Sequence, residues 1–170
     1  GYFPEQVLYN DLQQDRATRT RYARYLSQLQ EPSLLKQSQN PATTYRFLWV
    51  RSFRSTIVVR LWTDGERKML TVKELTKQTP DRPSELSLNQ TRVLSNDEWV
   101  NFTNLSSQTC LWNLPNTSGA PVAMDGEWWV LEEMSDNNYQ VTTRQTPDDA
   151  YREVCLYMLR LSGISFELVE

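Results

Sequence analysis

A long apolar stretch, YRFLWVRSFRSTIVVRLW over residues 45–62, constrains the fold of this chain more than any other feature. Its aromatic and β-branched residues favour strands, and Ser55-Thr56 is the one place where we expect a short turn. The Asp64-Gly65 pair that follows is typical of a two-residue hairpin turn. The sequence therefore predicts three consecutive antiparallel strands at 45–54, 57–63 and 67–75.

Three helices are predicted from periodicity and capping residues. Apolar residues recur every three or four positions across 5–30, which indicates an N-terminal helix. The sequence SNDE at 95–98 is a capping box, so Ser95 should begin a helix that runs to about residue 107. Thr146-Pro147 should open the last helix, and Gly163 should end it.

Two further strands are predicted at 127–134 and 139–145, whereas the polar segment 76–93, with two prolines, is predicted as a loop. The element order is then α-βββ-α-ββ-α. This order predicts an α+β fold, with a single antiparallel sheet of about five strands and helices packed on one face. We expect one domain over 1–170, in which the N-terminal helix 5–30 precedes a sheet-plus-helix core at 45–163.

A turn at Ser55-Thr56 would place Arg51 directly opposite Arg60. Side chains alternate along strands, so one face would be aliphatic and would be buried against the helix that contains Val154 and Met158. That face comprises Leu48, Val50, Ser52, Ile57, Val59, Leu61, Leu70 and Val72. The other face would be aromatic and basic, and it comprises Phe47, Trp49, Arg51, Phe53, Val58, Arg60, Trp62, Met69, Thr71 and Lys73.

Like charges opposite each other in a sheet destabilise it, so this pair of arginines needs an explanation. Stacking on the rings of Trp49 and Trp62, a carboxylate such as Glu132 or Glu133, or a bound anion would each offset the repulsion. One interpretation is an internal Arg–Glu network covered by the N-terminal helix or by 76–93. The other is a basic, aromatic groove for an anionic small molecule or an acidic protein surface. Its candidate ligand-binding residues are Arg51, Arg60, Trp49, Trp62, Lys73 and Glu132.

Composition excludes several functional classes. The chain has no histidine, which removes His-based nucleophile activation and His-ligated metal sites. It has no glycine-rich phosphate loop, and its net charge of −3 gives no overall attraction to nucleic acid. No apolar run approaches the length of a membrane span. We therefore expect no cofactor, no metal, no nucleic-acid partner and no membrane span.

Three functional hypotheses remain, one of which is a structural scaffold or subunit. The first is a non-catalytic binding or interaction module that uses the arginine and aromatic residues of the sheet. The alternative is a carboxylate-dependent hydrolase, for which the nearest cluster of acids is Asp125, Glu127, Glu132 and Glu133. The sequence names no nucleophile–base pair, so the binding module is preferred.

Cys110 and Cys155 are the two cysteines of the chain, and their spacing fits no metal motif. Buried free thiols, one disulfide or a reactive thiol are the alternatives. Neither cysteine has an activating base nearby in the sequence, which disfavours reactivity.

Four segments carry a resemblance to a family of bacterial proteins. They are YRFLWVRSF at 45–53, DGEWWVLE at 125–132, YQVTTRQTP at 139–147 and LYMLRLSG at 156–163. The family resembled has no assigned activity and its members are often predicted to be exported. The resemblance, which spans about 45–163, implies a periplasmic or secreted location, where a disulfide would be favoured.

Overall fold

Six antiparallel strands form one sheet in the structure, a computed structural model that describes residues 1–37, 43–119, 123 and 126–168. The order across the sheet is β4-β3-β2-β1-β5-β6, so β1 and β2 lie at its centre. The strands are β1 (Thr44–Val50), β2 (Ile57–Asp64), β3 (Arg67–Leu75), β4 (Leu86–Val93), β5 (Trp128–Ser135) and β6 (Asn138–Arg144). The predicted α+β class with one antiparallel sheet is confirmed.

Helices cover both faces of this sheet, not one as predicted. The helices are α1 (Leu12–Gln28), α2 (Asn96–Gln108) and α3 (Asp149–Ser162), with short 3₁₀ turns at Leu34–Gln37 and Leu111–Asn113. On one face, α2 and α3 bury Phe102, Tyr151, Val154 and Met158 with the strands. On the other face, α1 buries Tyr22 and Leu26. In the part of the chain that is described, no helix is both long and apolar enough to cross a membrane.

The connection between β1 and β2 differs from the predicted two-residue turn. The connection spans residues 51–56. In the resulting register of β1 and β2, Trp49 is opposite Ile57 and Arg46 is opposite Arg60. The register therefore differs by five residues from the prediction, and an odd shift moves every β1 side chain to the other face. Leu48 and Val50 lie against α1, whereas Phe47 and Trp49 lie against α2 and α3.

The β2 and β3 part of the predicted core is correct. Val59, Leu61, Leu70 and Val72 share one buried cluster with Val154 and Met158 of α3. The prediction fails for Leu48 and Val50, because β1 changes face. It also fails for Ser52, because β1 ends at Val50 rather than at residue 54 and Ser52 is exposed in the connection. Thus the face under α2 and α3 is aromatic as well as aliphatic, with Phe47, Trp49 and Trp129 in contact across β1 and β5.

Residues 86–93, predicted as part of a loop, form the edge strand β4. The strand pairs with β3 from Met69↔Val93 to Leu75↔Leu86, and most of its residues are exposed. Because only Leu86 and Leu88 of β4 are partly buried and its other side chains are exposed, its sequence carries little apolar periodicity. Backbone pairing with β3, rather than burial, defines this strand.

The ends of the helices follow their capping residues. The capping box at Ser95 is present, with Leu94 buried and Trp99 packed against the same core. Asp148, not Thr146, caps α3, while Gly163 ends it in the left-handed conformation as predicted. Helix α1 begins later than predicted, because residues before it wrap around the buried Asp15 carboxylate, which accepts from the backbone N–H of Leu8 at 2.9 Å.

Ser95→Ala is expected to lower the free energy of unfolding by about 1 kcal/mol. The Ser95 hydroxyl accepts from the Glu98 N–H at 3.1 Å, and the Glu98 carboxylate accepts from the Ser95 N–H at 2.9 Å. Alanine keeps the second bond and leaves the Glu98 N–H without the first. Urea unfolding checks this, with Ser107→Ala on the exposed end of α2 as a control near zero. An equal loss in both variants would contradict the capping role.

Candidate functional site

Arg60 and Lys73, two of the predicted ligand-binding residues, belong to a buried ion network on the α1 face of the sheet. We use that name for Glu31, Arg46, Arg60, Lys73 and Glu132. Four of these residues lie on the adjacent strands β1, β2, β3 and β5, and Glu31 follows the end of α1. The side chains of Glu31, Arg46 and Glu132 are fully buried, and those of Arg60 and Lys73 are 11% and 7% exposed.

Glu31 is the centre of the ion network. Its Oε2 accepts from Arg60 Nε at 2.9 Å and lies 3.6 Å from Arg46 Nη1. Its Oε1 lies 2.9 Å from Lys73 Nζ, in ion-pair contact without the alignment of a hydrogen bond. Lys73 and Arg46 also donate to the carbonyls of Gln30 and Pro32, which follow α1. The network therefore ties the end of α1 to the sheet.

Arg46 and Glu132 form the other half of the network. Nε and Nη2 of Arg46 donate to the two carboxylate oxygens of Glu132 at 2.6 and 2.9 Å, a bidentate pair. Burial alone would lower the pKa of Arg46, but the combined effect of its neighbours, with Glu132 first and Glu31 next, raises it. Burial, with Glu132 beside it, also raises the pKa of Tyr139, whose hydroxyl donates to Glu132 at 2.8 Å.

These contacts bear out the internal-network interpretation and correct its members. Arg60 is opposite Arg46 rather than Arg51, and its carboxylate partner is Glu31 rather than Glu132. The guanidinium of Arg60 lies 5.2 Å from the Trp62 ring, so the predicted aromatic contact exists. Sequence reasoning missed Glu31 and Arg46, although an arginine within the apolar run of β1 was a usable signal. The described residues leave the side chains of this network at most 11% exposed, so the network itself forms no open groove.

Arg51 lies on the other face of the sheet, at the end of β1. Its guanidinium lies 4.3 Å from the Trp49 ring, and it donates to the carbonyl and hydroxyl oxygens of Ser55, both at 2.9 Å. Burial lowers the pKa of Arg51, and the carboxylates of Glu127 and Glu74 partly offset this effect. The prediction that Arg51 and Arg60 are neighbours is therefore wrong, because the shifted register separates them.

A groove opens beside Arg51, where the β1–β2 connection, the start of β5 and the start of α3 meet. We call it the arginine groove. Its volume is about 440 Å³. It is lined by Arg51, Ser52, Phe53, Arg54, Gly126, Glu127, Trp129, Gln145, Thr146, Pro147 and Arg152. Phe53 is 67% exposed at its rim, and Arg152 lies 5.5 Å from the Trp129 ring in its wall.

The charges that line the arginine groove are mostly positive. Among the described residues of its lining, three arginines accompany one carboxylate, that of Glu127, which already accepts from the Trp49 indole N–H at 3.0 Å. Within the described ranges, no carboxylate forms an ion pair with Arg51 or Arg152. Arg54 pairs with Glu167 at 3.2 Å, at an exposed position. The groove thus has cationic groups available for an anion.

The described carboxylates among those proposed for a hydrolase, Glu127, Glu132 and Glu133, do not converge. Glu132 lies on the α1 face and is held by Arg46, whereas its neighbour Glu133 is opposite Tyr45 on the α2–α3 side. Burial raises the pKa of Glu133. Glu127 lies in the arginine groove, and Asp125 lies outside the described residues. Adjacent residues of a strand point to opposite faces, so Glu132 and Glu133 cannot act together on one substrate.

Both cysteines are free thiols in the structure, which contains no bridge between Cys110 and Cys155. Cys155 is buried among the core residues of α3, and this burial raises the pKa of its thiol well above the usual value. Cys110 is exposed just after α2. The expectation of buried thiols therefore holds for Cys155 and not for Cys110.

Two comparisons of the chain with known proteins found no relative. A scan against protein-family models found no match to the chain. A search of curated proteins found no match either.

Proposed function

We propose that this protein is a non-catalytic binding module that holds an anionic ligand in the arginine groove. One observation carries the proposal: three arginines line one cavity, and among them only Arg54 forms an ion pair with a described carboxylate. Guanidinium groups bind carboxylate, sulfate and phosphate groups through paired donors. The arginine groove therefore takes the place of the aromatic and basic sheet face, with Arg51 and Arg60, that the sequence suggested as the binding site.

The groove also has the order that a binding site needs. Ser55 and the Trp49 ring hold Arg51 in place, so this cation loses little freedom when it binds an anion. Trp129 and Phe53 offer apolar surface beside the charges. A volume of about 440 Å³ suits a small organic ligand or a short segment of a partner. The ligand that fits is an anion joined to a planar or apolar group.

Two other predictions from the sequence, the hydrolase alternative and the exported location, are not part of this proposal. The hydrolase alternative receives no support from the described carboxylates, since Glu132 and Glu133 lie on opposite faces. The exported location implied by the family resemblance stays a prediction, and fractionation of the producing cells would test it.

Sulfate and benzenesulfonate are expected to raise the melting temperature saturably, and benzenesulfonate should do so at lower concentration. At ten times Kd, the gain is about 1.4 kcal/mol, or roughly 3–6 °C for a chain of this size. Arg152→Ala should remove the rise, because it deletes a cation of the groove. Arg160→Ala, which removes an exposed arginine of the same helix, is the matched control and should keep it. Differential scanning fluorimetry at constant ionic strength measures both.

Two results would contradict the proposal. One is a rise that Arg152→Ala and Arg160→Ala share equally, since this would place the anion elsewhere. The other is no rise at all with either anion up to tens of millimolar, because a groove with this excess of guanidinium groups should bind one of them.

A further inference from the structure

A second depression adjoins the arginine groove and shares Arg51 and Arg54 with it. Its volume is about 450 Å³, and Ser165, Phe166 and Glu167 form one wall. These residues belong to the segment after α3, 163–168, which we call the tail. The tail packs through Ile164, Phe166 and Leu168 against the core under α2 and α3. A peptide segment of this chain is thus already seated at the edge of the proposed site.

The contacts of the tail show what kind of chemistry the shared arginine accepts. Arg54 Nη1 lies 3.2 Å from the Glu167 carboxylate and donates to the Glu167 backbone carbonyl at 3.4 Å. The Phe166 ring meets the Trp49 ring edge to face, with centroids 6.1 Å apart. One aromatic residue followed by one acid therefore satisfies the tryptophan and the arginine together, and a backbone carbonyl adds a contact specific to a polypeptide.

We propose that the ligand of the arginine groove is an acidic peptide segment of a partner protein, with an aromatic residue next to a carboxylate. In this proposal the tail is an internal competitor for Arg54. The inference rests on the proposed function, and it names the ligand class for the same site. It gives the groove a partner and also a mode of regulation.

The balance of charge explains why a peptide would bind beside the tail. In the second depression, two arginines are matched by Glu74 and Glu167. Among the described residues of the arginine groove, the third arginine, Arg152, leaves an excess of positive charge over Glu127. An incoming acidic residue therefore gains more from the groove than the tail does. Because the side chains of Arg54 and Glu167 are 38% and 84% exposed, their pair is weak and readily displaced.

The rim supports the aromatic part of the ligand. Phe53 is among the large exposed apolar side chains of the described residues, and it borders the groove between Arg51 and Arg54. An aromatic side chain of the partner would bury it, in the way that Phe166 covers the edge of Trp49. An isolated phosphate would leave this apolar surface uncovered, so a peptide uses more of the site.

The test uses a fluorescein-labelled peptide with the sequence of residues 163–168, GISFEL, and measures binding by fluorescence polarisation. The full chain is expected to bind it saturably, and GISFQL, which lacks the carboxylate, should bind at least about fivefold more weakly. Arg152→Ala should weaken binding by about tenfold, while Arg160→Ala should leave it unchanged. Glu167→Gln keeps the tail in place and should tighten binding about two- to fivefold by freeing Arg54.

The outcomes separate this inference from the proposed function. If benzenesulfonate stabilises the protein through Arg152 but GISFEL does not bind, the peptide assignment is wrong and the anion site stands. If GISFEL and GISFQL bind equally, recognition of the carboxylate is refuted. If Glu167→Gln fails to tighten binding, the tail is not a competitor. Loss of both the sulfonate and the peptide signals would overturn the two proposals together.

Discussion

Replacing Glu31 with glutamine is expected to lower the free energy of unfolding by about 3–5 kcal/mol. Glu31 is fully buried and lies in ion-pair contact with Arg46, Arg60 and Lys73. A neutral amide of the same shape removes the negative charge that these three cations share. Their mutual repulsion and their loss of hydration then remain, since all three side chains are largely buried. The loss should be seen mainly as detachment of α1 from the sheet.

Urea unfolding of the two proteins measures this difference, and Glu66→Gln in the exposed β2–β3 turn is the matched control. The control should change stability by less than about 0.5 kcal/mol. Hydrogen exchange in α1 would locate the effect, because the network joins the end of this helix to three strands. A loss below 1 kcal/mol for Glu31→Gln would show that the cations have other partners or contact water.

The central strand shows why the sequence predicted strands well and their register badly. Every residue of β1 is buried, because the strand has neighbours on both edges and helices on both faces. Its sequence is therefore apolar at positions of both parities, and alternation cannot identify which side chains share a face. The register then depended on the turn, and a six-residue connection replaced the two-residue turn expected at Ser55-Thr56.

The edge strand β4 was not predicted, and the reason is the opposite one. In β4, the segment LSLNQTRV is exposed except at the partly buried Leu86 and Leu88, so its pattern is that of a loop. What makes it a strand is pairing with β3, which no local composition reports. By contrast, the β2–β3 hairpin and the capping box at Ser95 were predicted, since each depends on a few adjacent residues. The hairpin turn is Gly65-Glu66, one residue later than the predicted Asp64-Gly65, because Asp64 pairs with Arg67. The register differs by two residues, an even number, so the side chains of β3 keep their predicted face.

In the candidate site, too, contacts between residues close in the sequence were predicted, and contacts between distant residues were not. The contacts of Arg51 with Trp49 and of Arg60 with Trp62 join residues two apart in the sequence, and these aromatic contacts were predicted. The ion pairs join Glu31 to strands that follow it by as much as 42 positions, as in its contact with Lys73. Arg152 enters the groove from α3. Only the packed fold brings such residues together, so the sequence could suggest a basic site without giving its members.

The second large effect is expected at the bidentate pair, where Arg46→Met and Glu132→Met should each cost about 3–5 kcal/mol. Each single change leaves one fully buried charge without its main partner, because the two side chains bond at 2.6 and 2.9 Å inside the sheet. In the double variant no unpaired charge of this pair remains. It should therefore be more stable than the sum of the single losses predicts, with a coupling energy of about 2–3 kcal/mol in a double-mutant cycle.

Arg46 and Glu132 each have a further partner, and the double-mutant cycle must take both of these partners into account. Tyr139 donates to Glu132 at 2.8 Å, so Glu132→Met also leaves a buried hydroxyl without its acceptor. The cycle should be repeated with Tyr139→Phe in every variant, where the coupling should persist, since it comes from the charges. Arg46 also contacts Glu31, so Arg46→Met removes one of three cations and leaves Arg60 and Lys73 to balance that carboxylate. Additive losses in both backgrounds would mean that the pair contributes nothing beyond packing, and that Glu31 alone holds the network together.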